Sequence, residues 1–440
     1  MKKSSILLIL ALSMLLVACG GNKAQDTTTT ETAQETTQTD KQETSQEPAG
    51  DQVVINFFHR WPNEPRKSYF DERIAAFEAE NPNVKINVDS VLNDSYKEKI
   101  RVLISSDDLP DIFVSWSDTF AENLVSSGRI KPLNELYESD TEWSGKIIES
   151  QIGAFTFDDV TYGVPLTIDG KLFLYNKDIF DELGLKEPQT FEELLALLDE
   201  LKTNGYDTPL MEGLTNPWTI SHYLGTIFQR LLDPTVMAKD FQLTGGEYTD
   251  PAYIEGLKAF KELTDRMGDT ANAIDHETAR NMFGAGEVPV MYLQLAEIKM
   301  VEDMNDFEIG MFDFPSFPNG KGDPKALTGA PEGFMLSQNA PKEAEEFLKF
   351  LTSEESAFLF TKEAGQLNAI QGAVTEENTS PKTLESYDII LNASDTTPWF
   401  DNAVSINIAD IFMRGGQTLA LGETTPEEIM EEVQAEAQRQ

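Results

Sequence analysis

A single cysteine, at position 19, is all that 440 residues contain. No disulfide can form within such a chain, and no cysteine-based zinc site is available. The three histidines, at 59, 222 and 276, share no metal-like spacing. Stability must therefore come from a large apolar core, and residues 52–440 are long enough to divide into about two domains. The formal net charge of −42 repels nucleic acid. It also disfavours anionic ligands in bulk, although a local arginine pocket overrides a bulk field.

The cysteine also closes a recognisable segment. Lys2 and Lys3 give a basic start, Ile6 to Val17 is apolar, and Leu16-Val17-Ala18-Cys19-Gly20 follows. This describes an export signal. It is shorter than the roughly 20 apolar residues of a spanning helix, and no later stretch is apolar for long enough. The ending resembles a bacterial lipobox, which implies lipidation of Cys19, loss of residues 1–18 and anchoring outside the membrane through lipid alone. The alternative is an ordinary signal with a cysteine there by chance. Residues 19–51, rich in Thr, Gln and Glu, bury too little apolar surface to order. Such a tether reaches roughly 30 Å as a flexible coil.

From Val53 the pattern alternates. Val53 to Phe58 reads as a strand, Lys67 to Glu80 as an amphipathic helix, Val84 to Val88 as a strand, and Ile112-Phe113-Val114 as a buried strand. That order indicates an α/β fold with a mostly parallel sheet. Later helices have marked ends: Thr190 and Thr425 each precede a glutamate by three residues, the signature of a capping box.

Several blocks then resemble, in order, the bacterial extracellular solute-binding proteins for sugars, the maltose-binding-protein relatives. They are Phe77-Glu78-Ala79-Glu80-Asn81-Pro82-Asn83-Val84, Leu109-Pro110-Asp111-Ile112-Phe113, Gly128-Arg129-Ile130-Lys131-Pro132-Leu133, Tyr162-Gly163-Val164-Pro165, Tyr175-Asn176-Lys177-Asp178 and Pro188-Gln189-Thr190-Phe191-Glu192-Glu193-Leu194. The segment order is nearest the raffinose and multiple-sugar branch. The resemblance implies a type II periplasmic-binding-protein-like fold, with a ligand cleft between lobes 52–165 plus 310–362 and 166–309 plus 363–440. Chain crossings are expected near Tyr162 to Asp169 and near Ile309 to Phe317. It further implies a monomeric capture protein for a neutral sugar or oligosaccharide, delivering to ABC permease subunits, with no enzymatic activity, cofactor or metal.

A sugar offers apolar faces and a ring of hydroxyls, so its site needs aromatic faces with paired acceptors and donors. At positions matching the family's cleft loops stand His59, Trp61, Trp116, Asp118, Asp169, Trp218, Glu332 and Trp399. Each has a plainer reading. His59 is a hydrogen-bonding group, Trp61, Trp116 and Trp399 are packing residues, Asp118 is a helix cap, Asp169 a turn residue and Glu332 an exposed loop acid. Trp218, beside Pro217 on a loop, is the aromatic hardest to explain as core. Where relatives carry a stacking Trp this chain has Ala296, so Tyr292 or Gln294 takes over the wall or the subsite is wider. A glycoside hydrolase would also pair carboxylates, but no Gly-x-Ser-x-Gly or His-Glu-x-x-His motif is present. A non-sugar anionic ligand would call for cleft cations, and only Arg60 is suggestive.

Overall fold

A computed structural model describes residues 52–106 and 108–440. The nine strands that build its two main sheets are β1 Val53–His59, β2 Val84–Ser90, β3 Ile112–Trp116, β4 Gly163–Thr167, β5 Lys171–Asn176, β6 Leu210–Met211, β7 Val290–Gln294, β8 Ile309–Phe312 and β9 Glu332–Leu336. The first sheet has the order β2-β1-β3-β9-β4 and the second β8-β5-β7-β6. β1 runs parallel to both β2 and β3, in register from Val53↔Val84 to His59↔Ser90. β9 enters antiparallel between β3 and β4, placing Glu332 beside both Trp116 and Thr167.

Helices cover these sheets because their apolar stripes match the 3.6-residue period. Arg66–Glu80 buries Tyr69, Phe70, Ile74 and Phe77. In the first core Phe57 packs edge-on against Phe70, Phe334 and Phe347. A separate second core gathers Phe173, Tyr292, Phe228, Phe400 and Phe412. Each buried Phe contributes about 1.5–3 kcal/mol. Both expected capping boxes form, Thr190 with Glu193 and Thr425 with Glu428.

Only Ile168, Asp169 and Gly170 separate β4 in the first sheet from β5 in the second. The return crossing lies later than the sequence suggested. β8 pairs with β5, from Ile309↔Asn176 to Phe312↔Phe173, and so belongs to the second sheet. An apolar strand read alone does not reveal which sheet it joins. Gly310 does carry a trace, since a Cβ there would come within 2.1 Å of the Tyr175 ring. The chain regains the first sheet through Gly329-Ala330-Pro331, just before β9. There a Cβ on Gly329 would sit 2.1 Å from the Asp169 carbonyl oxygen, so only glycine lets the two crossings touch backbone to backbone. A third passage runs beside them, with the Ala369 N–H donating to Leu166 (2.9 Å). Leu367 enters the second core while Ile370 and Ala373 enter the first, so residue 363 is not a sharp boundary.

Among the described residues no helix is long and apolar enough to cross a membrane. Residues 1–51, on which the expected export signal, lipidated Cys19 and tether fall, lie outside the described residues.

Candidate functional site

One edge of the first sheet faces the crossings. β1 and β3 end there, at His59 and Trp116, and antiparallel β9 begins there at Glu332. Ligands of open α/β sheets gather at the carboxyl ends of the strands. Here that edge and the second lobe enclose a cavity of about 520 Å³, inside the range typical of small-ligand sites.

Four indoles line it: Trp61, Trp116, Trp218 and Trp399. Trp61 lies flat on Phe70, ring centroids 5.1 Å apart and planes 9° apart. Arg60 reaches between Trp61 and Trp116, its guanidinium carbon 5.2 and 5.3 Å from their ring centres. It holds Glu332 through Nε (2.8 Å) and Nη2 (2.5 Å). Glu332 therefore lines the cavity as half of a bidentate ion pair. Trp218 is the second residue of the helix Pro217–Leu231, after the Pro217 that starts it. One turn on, His222 stacks on Trp399 at 4.1 Å and 22°. The 399–400 peptide joins the two cores, with Trp399 in the first and Phe400 in the second.

Asp169 also lines the cavity, but its oxygens are engaged. They accept hydrogen bonds from the Gly170 N–H (2.8 Å), the Ala296 N–H (3.0 Å) and Gln294 Nε2 (2.7 Å). Burial pushes its carboxyl up to about 7 despite these donors. Gln294 and Ala296 both line the cavity.

Three expected residues are not among those lining the cavity. His59 is 2% exposed, stacks on Phe70 and accepts the Trp61 N–H at Nδ1 (3.2 Å). Burial lowers its pKa to about 4, so it stays neutral. Tyr292 faces the second core, its hydroxyl 2.7 Å from Thr226 Oγ1, because β7 is an interior strand covered on that face. Asp118 adopts a left-handed φ of 57° and accepts from Ser117 Oγ at 2.6 Å. Burial raises its pKa to about 6.

The structure adds a buried charge chain that sequence reading missed. Lys171 and Glu212, both inaccessible to solvent, stand 3.4 Å apart. His276 joins Glu212 to Glu297, with 2.7 Å at each ring nitrogen, and Arg280 pairs with Glu297 at 2.5 Å. Burial alone would lower the His276 pKa, but Glu297 and Glu212 overcome it and raise it to about 9. Trp218 packs edge-on against this imidazolium at 4.7 Å. The i, i+4 spacing of His276 and Arg280 was the only trace of it in the sequence. Among the described residues no cluster of three or more His, Cys, Asp or Glu side chains could hold a metal.

Known proteins agree with this architecture. A multiple sugar-binding protein of Streptococcus mutans is 27% identical over 409 residues, covering 86% of this chain and 85% of its own. An ABC transporter extracellular-binding protein of Pyrococcus horikoshii is 28% identical, covering 83% and 82%. Among solved structures, a chitin oligosaccharide binding protein superposes with a TM-score of 0.79 at 22% identity, over 89% of this chain and 99% of its own. A solute-binding protein in complex with raffinose gives 0.67 at 20%, over 87% and 98%. The model of the bacterial extracellular solute-binding proteins matches residues 61–358. With its two-lobed type II fold, this chain belongs to that family, a family of binding proteins and not of enzymes.

Proposed function

We propose that the chain captures a sugar or oligosaccharide in the cleft and delivers it to the membrane subunits of an ABC importer. The observation that carries this reading is the convergence of four indoles on one cavity rimmed by hydrogen-bonding side chains. Indole faces match the C–H faces of pyranose rings. Asn216, Gln366 and Asn402 supply amides that both donate and accept, as hydroxyls require. Relatives named for multiple sugars, chitin oligosaccharide and raffinose support the same class. The protein works as a monomer, tethered outside the cell by a lipidated Cys19.

Thermal unfolding against a panel of di- and oligosaccharides tests the sugar class. A ligand bound only by the folded state raises the melting temperature, by about 2.7 kcal/mol of stability at a hundredfold excess over Kd. A panel in which no sugar shifts the transition would sink the proposal.

A further inference from the structure

We propose that the ligand carries an oxyanion on one sugar residue, the carboxylate of a uronate or a sulfate ester, and that Arg66 receives it. The inference rests on the sugar-binding reading and deepens it.

The other cations lining the cavity are already engaged. Arg60 holds Glu332, Lys97 holds Asp401, Arg280 holds Glu297, and His276 lies between Glu212 and Glu297. Arg66 lines the same cavity, yet among the described residues it has no hydrogen bond, ion pair or ring contact. Its Nε is sealed from water with no acceptor. Two further donors of the lining share that condition: Arg280 Nε and Nε1 of Trp61, an indole only 3% exposed. A buried donor left unpaired costs about 1–3 kcal/mol, more when charged. Such donors in one cavity call for an acceptor from outside the chain.

The charge balance selects the kind of acceptor. Arg60, Arg66, Arg280, His276 and Lys171 stand against Glu332, Glu297 and Glu212, so buried positive groups outnumber buried negative ones. Counting Asp169, held by three neutral donors, as a fourth negative group still leaves the five positive ones in excess. Glu64, Asp275 and Glu277 are exposed, where water screens them. Arg66 is also the first residue of the 15-residue helix Arg66–Glu80, whose amino end adds partial positive charge. Burial and the neighbouring Arg60 depress its pKa to about 10, the direction expected of a cation lacking its counter-charge. A guanidinium fork matches a carboxylate or sulfate in two parallel hydrogen bonds. The net charge of −42 hides this local excess.

The experiment is calorimetry of the full chain on matched pairs. These are xylotriose with its glucuronate-substituted form, galactotriose with trigalacturonate, and lactose with its sulfate ester. At least one acidic member should bind ten times tighter than its neutral partner, and the margin should shrink as salt rises. Which pair shows the margin separates uronate from sulfate. Arg66→Gln should erase the margin and Arg66→Lys retain part of it, with folding checked by melting temperature. Neutral and acidic partners binding alike, or a margin that survives in Arg66→Gln, would overturn the assignment while leaving the sugar reading intact. If no member binds, neutral or acidic, the sugar reading fails and this inference with it.

Discussion

The Lys97 ammonium lies 2.5 Å from the Asp401 carboxylate, an ion pair 17% and 7% exposed that ties the first lobe to the second. Lys97 comes from the helix Asn93–Ile104, which flanks the first sheet, and stands 4.5 Å over the Trp116 ring. The other oxygen of Asp401 accepts from Ser221 Oγ at 2.7 Å, on the Pro217–Leu231 helix of the second lobe. Nearby, Thr119 Oγ1 donates to the Ala403 carbonyl at 3.3 Å. The two lobes thus already touch at one end of the cleft.

We expect Lys97→Met to bias the ligand-free chain toward an open form. Losing one partner of a part-buried pair leaves the other charge unmatched, so separation and hydration of the lobes become the better state. Small-angle scattering should show a larger radius of gyration for the variant without ligand. Affinity for the best sugar should fall about three- to tenfold, because the binding-competent state is less populated. An unchanged radius and affinity would mean that closure does not depend on this pair.

Asp169 and Trp218 should separate in their effects. Asp169 spends its oxygens on Gly170, Gln294 and Ala296, which it holds at the crossing. In Asp169→Asn the amide NH2 meets one of those donors, so the variant should lose on the order of 1–3 kcal/mol of stability. Trp218 packs against His276 and His222, has Lys171 over its ring, and lines the cavity with what remains. Trp218→Ala should weaken sugar binding tenfold or more, about 1.4 kcal/mol, with little change in unfolding. Urea denaturation beside titration calorimetry distinguishes the two. A destabilised Trp218→Ala that binds normally would reverse the assignment.

The alternation of strands and helices and the order of the family blocks carried the α/β class and the two-lobed fold, because both are local signals. The mostly parallel sheet expected from that alternation is not met: β9 runs antiparallel to β3 and β4, and β5 antiparallel to β7 and β8. Tyr292 shows where local reading stops. Its position near a cleft strand suggested a wall, but sheet order buries it behind Phe173 and Phe314. The placement of β8 failed for the same reason, since strand pairing is non-local. Among cleft residues, indoles were legible because a Trp beside a strand or helix end is conspicuous, although Trp218, expected on a loop, lies in the first turn of a helix. Arg66 and Arg280 were not, because a basic residue on a helix reads as a solvated face until the fold shows what surrounds it.

Cys19→Ala should move the protein from the membrane fraction to the soluble one. The expectation rests on the proposed lipidation of the lipobox-like Leu16-Val17-Ala18-Cys19. A single acyl chain holds a protein only marginally, and a diacylated cysteine supplies two. Washed membranes that retain the variant at the wild-type level would rule out lipidation at this residue.

Stability should fall on the alkaline side through His276. Its folded pKa of about 9 exceeds the ordinary histidine value of 6.5, so the folded chain holds a proton that the unfolded chain releases within that window. The stabilisation is complete below pH 6.5 and is lost as pH rises through 9, on the order of 1.4 kcal/mol per pH unit between them. The groups facing the ring set the sign. Glu212 and Glu297 hold the proton, while Lys171 and Arg280 beyond them balance the two carboxylates. Asp169, raised to about 7, gives the same downward slope at lower pH, between its ordinary 3.8 and 7. Melting temperatures at pH 7, 8 and 9 should therefore decline, and the slope should flatten in His276→Gln. Should that variant fold poorly, the imidazole of the wild type, followed by NMR, still decides the matter. A ring that titrates near 6.5 would show that the Glu212–His276–Glu297 chain is not charged at neutral pH, and that Trp218 packs against a neutral histidine.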